Sequence, residues 1–400
     1  MNTTNTLRMS RAMFSERHGV PGDVNYYRWI EQFLGTQVVS NRKLLEWTPR
    51  EESSNCPILA EQSRRFAKFS PWQLHSVVRN VFIGRIPSLR AGALAHDAFG
   101  HPPFVVAISD GMYSTADQCI YLWESVVRLL SEAEEDLRRG GELRDVMFKL
   151  NEKITAHGLE DRVEKIVSKL RYAFREGNIE QLLKLTAADV ELPITGVPRS
   201  DLRHRSRRQY VWEQFVIAHE LAHIILGHLG PTGSPTASRY AQDAIRNYRI
   251  LSTWDRLTDH NQHIEAEADL FGLFDLSYAT SWEMSRRDGV RTGWQDRSQL
   301  SLLVQYLDGV ATAILVFYLL NALGFPAHPS THPHPDHRLA LITETMLTRM
   351  KAIISTTNEP NVGQQDLPGF YERVLSSAER VPRVYRTIAN ALDLALERSN

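Results

Sequence analysis

The chain has 400 residues, which is long for one compact unit, so we expect one large domain with insertions or two to three subdomains. Hydrophobic residues make up 42% and charged residues 23%, as in ordinary soluble globular proteins. The net charge of −1 argues against a protein that binds nucleic acids or membrane surfaces. With two cysteines, Cys56 and Cys119, we expect neither a disulfide framework nor a thiolate zinc site.

Two segments bear on where the protein resides. Residues 1–19 contain no apolar core of signal-peptide length, which predicts a cytoplasmic protein. Residues 309–325 are almost wholly apolar, but a membrane span needs about 20 residues and Asn321 interrupts this run. We therefore predict a buried core helix here, with a membrane span as the alternative.

The N-terminal part, residues 1–115, has helical patterns over 58–68 and 71–82 and one strand signature. Phe104 to Ile108 is a short apolar run with two adjacent valines, bounded by Pro-Pro and Asp-Gly. The flanking prolines suit an edge strand, which we place at 104–109. An edge strand beside a protease site can accept an extended peptide, whereas the alternative is a plain core strand.

Helical patterns dominate the rest of the chain, so the predicted fold class is α+β and mostly α-helical. We divide this part into three regions: a helical insertion or cap at 116–195, a catalytic core at 196–350 and C-terminal helices at 351–400. A basic run at 203–208 precedes the most informative stretch. We expect these arginines to pair with acidic helices elsewhere. The sequence leaves the oligomeric state open.

The most informative stretch is residues 210–229, which contain the motif His-Glu-Leu-Ala-His. A helix brings residues i and i+4 onto one face, so His219 and His223 can bind one metal ion. Neutral imidazole is a good zinc ligand. Glu220 can then act as general base toward water on the metal. The apolar surroundings predict a buried helix, in which a metal would satisfy these polar side chains.

A zinc hydrolase usually takes three protein ligands, and Glu265 is the best candidate for the third. It lies on a predicted helix far enough from His223 to allow an antiparallel partner helix. Asp269 follows four positions later and shares a helical face with Glu265. Asp269 can accept a hydrogen bond from the free ring nitrogen of a ligand histidine.

Other candidate ligands fit less well. A metzincin would have a third histidine where this chain has Leu229. His228 is expected to be a packed or hydrogen-bonded residue, and Glu267 to face solvent or serve as a minor alternative ligand. His260 and His263 remain rival nitrogen ligands.

The order of these motifs resembles the gluzincin metallopeptidases, especially those like HtpX and the CAAX prenyl protease. The resemblance is carried by His-Glu-Leu-Ala-His at 219–223, Glu-Ala-Glu-Ala-Asp at 265–269, and Ser-Thr-His-Pro at 330–333 followed by Arg338. The strand near 104–111 is similar to the edge strand of that family. The two-motif core also resembles ImmA/IrrE-type and Lit-type peptidases, so the subfamily stays open.

The resemblance implies a zincin-like core of active-site helix, partner helix and small sheet with an edge strand. It implies Zn²⁺ bound by His219, His223 and Glu265, with Glu220 as the base. It also places His332 and Arg338 near the cleft, where either can stabilise a developing oxyanion.

The sequence thus predicts a zinc-dependent endopeptidase that acts on a protein or peptide. Two alternatives remain open: a regulatory, stress or phage-response protease with one cytosolic target, and a non-proteolytic zinc-binding scaffold. An intact Glu220 argues against the scaffold, because a structural zinc site needs no base.

Overall fold

We describe the fold from a computed structural model of the chain. The described residues are 57–79, 81–86, 93–97, 104–140, 158–176, 202–249, 254–257, 259–287, 295–323, 334–356 and 367–398, with a few single positions between them. Predicted features at residues 1–56, in the linker at 188–201 and at His332 lie outside this set.

The described residues are mostly helical, as predicted. The α-helices are α1 (Pro57–Phe69), α2 (His75–Val78), α3 (Asp110–Arg138), α4 (Leu159–Glu176), α5 (Leu202–Ile225), α6 (Pro235–Tyr248), α7 (His260–Phe271), α8 (Ala279–Arg287), α9 (Gln295–Ala322), α10 (Pro335–Thr356) and α11 (Leu367–Arg398). Single 3₁₀ turns lie at Trp72–Leu74 and Trp254–Arg256, and a π-helical segment at Gly272–Tyr278 joins α7 to α8.

The strands β1 (Val81–Ile86), β2 (Ala93–Asp97) and β3 (Phe104–Ser109) form a three-stranded sheet in the order β1-β3-β2. β1 runs parallel to β3, and β2 runs antiparallel to it. The strand predicted at 104–109 is confirmed, but its edge position is wrong, because β3 has a neighbour on each side.

The reason for this difference lies in where the prolines stand. Pro103 precedes β3 and so removes no hydrogen bond from the ladder. Phe104, Val106 and Ile108 alternate along the strand and are each at most 2% exposed. The sequence analysis did not predict β1. It predicted a helix over 71–82, but α2 ends at Val78 and the chain becomes extended at Val81.

Helix α5 lies at the centre of the described fold and packs against α3, α7, α9, β2 and the π-helical segment. Its apolar side chains are buried on all sides, with Trp212, Phe215, Ile217 and Leu221 fully inaccessible. The helix begins at Leu202, so the basic run lies within it instead of before it. Arg208 pairs with Glu124 and Asp308, as expected for that run.

Two of the three predicted domain divisions fall inside continuous helices, and the third, at 195/196, lies outside the described residues. The division at 115/116 lies within α3, which packs on α5, α9 and α11, and the division at 350/351 lies within α10. Trp123 of α3 donates to Asp308 of α9 at 2.6 Å. The described part of the predicted insertion therefore contributes directly to the core.

Helix α9 contains the apolar run that could be mistaken for a membrane span. Among the described residues, Gln299–Leu320 is the one stretch long and apolar enough to cross a membrane, with a mean hydropathy of 1.8. Its most apolar window is 67% buried, against α5, α10 and α11. At Gly309, an added Cβ would lie 2.5 Å from Val211, so α9 and α5 are in close contact there.

Candidate metal centre

The three predicted ligands converge on one point between α5 and α7. His219 Nε2 lies 3.2 Å from His223 Nε2 and 3.4 Å from Glu265 Oε2, while His223 Nε2 lies 3.6 Å from Glu265 Oε1. Zinc bonds of about 2.0–2.1 Å at tetrahedral angles place ligand atoms about 3.3 Å apart. The two histidine nitrogens are thus at the spacing of zinc ligands, and each lies near a different oxygen of Glu265. One donor atom from each of the three residues lies within 4.8 Å of the other two, a grouping that could hold a metal ion.

Asp269 lies behind the ring of His219, in contact with the nitrogen that the prediction assigned to it. Its Oδ1 lies 2.9 Å from His219 Nδ1, and the carboxyl group is fully buried. An ionised carboxylate can only accept hydrogen bonds, so Nδ1 carries the proton and Nε2 is the nitrogen left for the metal. Four-residue spacing on α7 places Asp269 and Glu265 on the same face, which lets both reach His219.

The structure corrects the role predicted for Arg338. Its Nε and Nη2 donate to the two oxygens of Asp269 at 2.7 and 2.6 Å, and its guanidinium lies 4.6 Å from the ring centre of Phe317. The residue is 3% exposed. Arg338 therefore anchors Asp269 and is a positioning residue, whereas the prediction made it an oxyanion-stabilising catalytic residue. The other predicted oxyanion donor, His332, lies outside the described residues.

His223 is supported by a longer chain of contacts that the sequence did not reveal. Its Nδ1 lies 2.9 Å from Nδ1 of His228, whose Nε2 lies 3.3 Å from Glu267. Arg249 donates to the other oxygen of Glu267 at 2.5 Å. The hydrogen-bonded role predicted for His228 is confirmed. Glu267 was predicted to face solvent, but it is paired with both His228 and Arg249.

Glu220 is buried beside the ligand group and is 8% exposed. Burial raises its pKa to about 7, although the backbone N–H of Ala95, which donates to it, acts in the opposite direction. Ala95 lies on β2, a strand that the sequence analysis missed. Glu220 thus links α5 to β2, one of the two outer strands of the sheet.

The pKa values of the two candidate ligand histidines are shifted in opposite directions: that of His219 is raised above the value of free histidine, and that of His223 is lowered below it. Burial lowers the pKa of His219, but the carboxylates of Asp269 and Glu265 outweigh it and raise that pKa to about 10. Burial lowers the pKa of His223 to about 3. Without a metal, His219 therefore holds a second proton, on Nε2, and a metal ion must displace that proton to bind.

The rival ligands lie elsewhere. His260 is exposed at the start of α7. His263 has its Nδ1 2.8 Å from the carbonyl oxygen of Asp259, and its ring packs near Trp254. In the part of the chain that the structure describes, the one group with metal-binding geometry is His219, His223 and Glu265.

A glycine sets the distance between the two helices that carry the ligands. An added Cβ at Gly272 would lie 2.8 Å from the backbone nitrogen of His219 and 2.9 Å from the carbonyl of Ala218. No side chain fits there, so Gly272 lets the end of α7 contact α5 backbone to backbone. A lone glycine within a helical pattern was the signal that could have indicated this contact.

No family model, no curated protein and no solved structure matches this chain. The support for a metal site comes from the geometry and chemistry of the residues themselves. The donor set of two imidazoles and a carboxylate suits zinc, and outer partners orient both rings.

Proposed function

We propose that this protein is a zinc-dependent endopeptidase with a zincin-like core of gluzincin type. The observation that carries the proposal is the convergence of His219, His223 and Glu265 on one point, with Glu220 next to the first of them. In this core, α5 is the active-site helix, α7 is the partner helix and β2 is the outer strand beside α5. Three protein ligands and an adjacent base are the composition of a catalytic zinc site, because a structural site is closed by four.

Zinc held by these residues would polarise a peptide carbonyl and supply a water that ionises near neutral pH. Glu220 takes the proton from the attacking water as the new C–O bond forms. It then gives this proton to the amide nitrogen as the C–N bond breaks, which leaves a carboxylic acid and an amine; the acid then loses the remaining proton of the water to solvent. Burial raises the pKa of Glu220 to about 7 without metal, and bound zinc would lower it, so the carboxylate is ionised and can accept the proton at neutral pH.

Asp269 and Arg338 keep His219 in the orientation that binding requires. A ligand ring that can turn or change tautomer would present an N–H to the metal. The buried guanidinium of Arg338 keeps Asp269 ionised. In this mechanism both residues act through His219 and need not touch the substrate.

The substrate we propose is a protein or peptide segment in extended form. Among the described residues, β2 pairs with a strand on one side only, and it packs against α5. A peptide that added to the other side would run beside Ala95, whose N–H already contacts Glu220. Backbone pairing of this kind binds a segment without selecting strongly for its side chains.

The test compares the wild type with Glu220→Gln for zinc content and for new protein N-termini by mass spectrometry. We expect equal zinc in both proteins and cleavage by the wild type alone. Glu283→Gln is the matched control, because Glu283 pairs with Arg287 in α8 and contacts none of the metal-binding residues. Wild-type protein that binds zinc but yields no Glu220-dependent N-termini would favour the scaffold alternative. Loss of zinc from Glu220→Gln would instead make Glu220 a ligand.

A further inference from the structure

We propose that His228 and Glu267 are positioning residues that hold His223 in the tautomer able to bind the metal. This inference depends on the zinc site of the proposed function, but not on proteolysis. His219 has a carboxylate directly behind it, in Asp269. His223 has no carboxylate contact at its outer nitrogen in the described structure; it reaches one through a second histidine.

The chain of hydrogen bonds can be assigned from its acidic end. Glu267 accepts from Arg249 and faces His228 Nε2, and its side chain is 12% exposed. Its two oxygens are paired separately, one with Arg249 at 2.5 Å and the other with His228 at 3.3 Å. An ionised carboxylate offers only acceptors, so the proton between the two side chains lies on Nε2 of His228.

That assignment fixes the next contact. With its proton on Nε2, His228 offers the lone pair of Nδ1, which lies 2.9 Å from Nδ1 of His223. His223 must then donate its Nδ1–H, and its Nε2 presents a lone pair toward His219 and Glu265. The opposite polarity would place a hydrogen on Nε2 of His223, where a metal ion could not bind.

A backbone feature brings His228 to this position. On a continuing helix, a residue five places after His223 would be rotated about 140° away from it. Helix α5 instead ends at Ile225, and Gly227 adopts a φ of +80°, a left-handed conformation that favours glycine. The turn places the rings of His223 and His228 5.1 Å apart. His228 is therefore brought back over the ligand by the way the helix ends.

The first experiment measures zinc affinity by competition with a chromogenic chelator in four variants. We expect Glu267→Ala and His228→Ala to weaken zinc binding by about 10–100-fold, the range found for partners of metal ligands. His228→Gln should recover part of this loss, because its amide oxygen can accept from His223 Nδ1. Glu283→Ala, which also loses arginine partners, is the control and should leave zinc affinity unchanged.

The second experiment reads the tautomer of His223 by long-range ¹H–¹⁵N NMR, in the metal-free and the zinc-loaded protein. We expect the Nδ1–H form in the wild type and a mixture of forms in Glu267→Ala. The isosteric variant Glu267→Gln keeps the side-chain shape and serves if Glu267→Ala does not fold. It should shift the tautomer populations in the same direction, by less.

The outcomes separate the two proposals. Unchanged zinc affinity and an unchanged His223 tautomer in these variants would overturn the positioning role, even if the wild type binds zinc and cleaves peptides. Failure of the wild type to bind zinc would overturn the proposed function. The tautomer of His223 in metal-free protein would then still decide whether His228 and Glu267 orient it.

Discussion

Replacing Arg338 with methionine tests the reassignment of this residue from catalysis to positioning. The substitution keeps much of the apolar contact with Phe317 and removes both hydrogen bonds to Asp269. Asp269 is fully buried, so its carboxylate would lose the guanidinium that offsets its burial. Breaking one partner of a buried ion pair costs about 3–5 kcal/mol, because an uncompensated charge remains inside.

We therefore expect Arg338→Met to lower the free energy of unfolding by about 3–5 kcal/mol, measured by urea denaturation of metal-free protein. The pKa of Asp269 is lowered in the wild type, mainly because Arg338 outweighs burial, so this stability is present above the unfolded pKa. It is lost as the pH falls through the folded pKa. The difference between wild type and variant should accordingly shrink in acid.

The control is Arg287→Met. Arg287 also contacts a carboxylate, that of Glu283 at 2.7 Å, but its side chain is 55% exposed. Exposed pairs contribute about 0–1 kcal/mol, so this variant should unfold almost as the wild type does. Equal, small losses in both variants would refute our reasoning on burial.

Arg338→Met should also weaken zinc binding about tenfold. Unchanged zinc affinity with a reduced rate of peptide cleavage would instead restore the oxyanion role.

Three further predictions concern the metal and its helices. Gly272→Ala should lower the melting temperature and zinc content together, because its Cβ would lie 2.8 Å from the backbone of His219; normal values of both would contradict the close contact. Zinc binding at pH 8 should release about one proton in calorimetry with buffers of different ionisation heat, because metal-free His219 has a pKa of about 10. Apparent zinc affinity should therefore fall about tenfold per pH unit on going from pH 9 to pH 7, and a flat profile would contradict a protonated His219. The rate of peptide cleavage should rise with pH to a plateau at or below about pH 7, because a base must be ionised to accept a proton. Glu220 has a pKa of about 7 without metal, and bound zinc lowers that pKa. A cleavage rate that falls over this pH range would contradict the role of Glu220 as base.

The sequence located the candidate site because local periodicity controls much of it. Two histidines four residues apart on a helix must share a face, and the same rule joins Glu265 to Asp269. The helix signals around these motifs were strong, since apolar side chains surround them and α5 ends close to Gly227. Histidine, glutamate and aspartate also have few roles in a buried helix other than to bind a partner.

The errors arose where a residue's role depends on a distant part of the chain. Arg338 looked like a cleft residue from its motif, but a partner 69 positions away takes up its guanidinium. The edge strand was placed on β3, since β1 and β2 carry weaker patterns. Whether a strand lies at the edge or in the centre depends on the assembled sheet and cannot be read from that strand alone.

By itself, the sequence determined the two helices, the residues that face inward from them and the donor types suited to zinc. Only the tertiary structure decided that these donors converge at 3.2–3.6 Å and that Gly272 sets the helix contact. It likewise decided which outer partner orients each histidine: Asp269 with Arg338 for His219, and His228 with Glu267 for His223. The physical reason is that helical periodicity acts over a few residues, whereas the position of one helix against another is set by packing across the whole core.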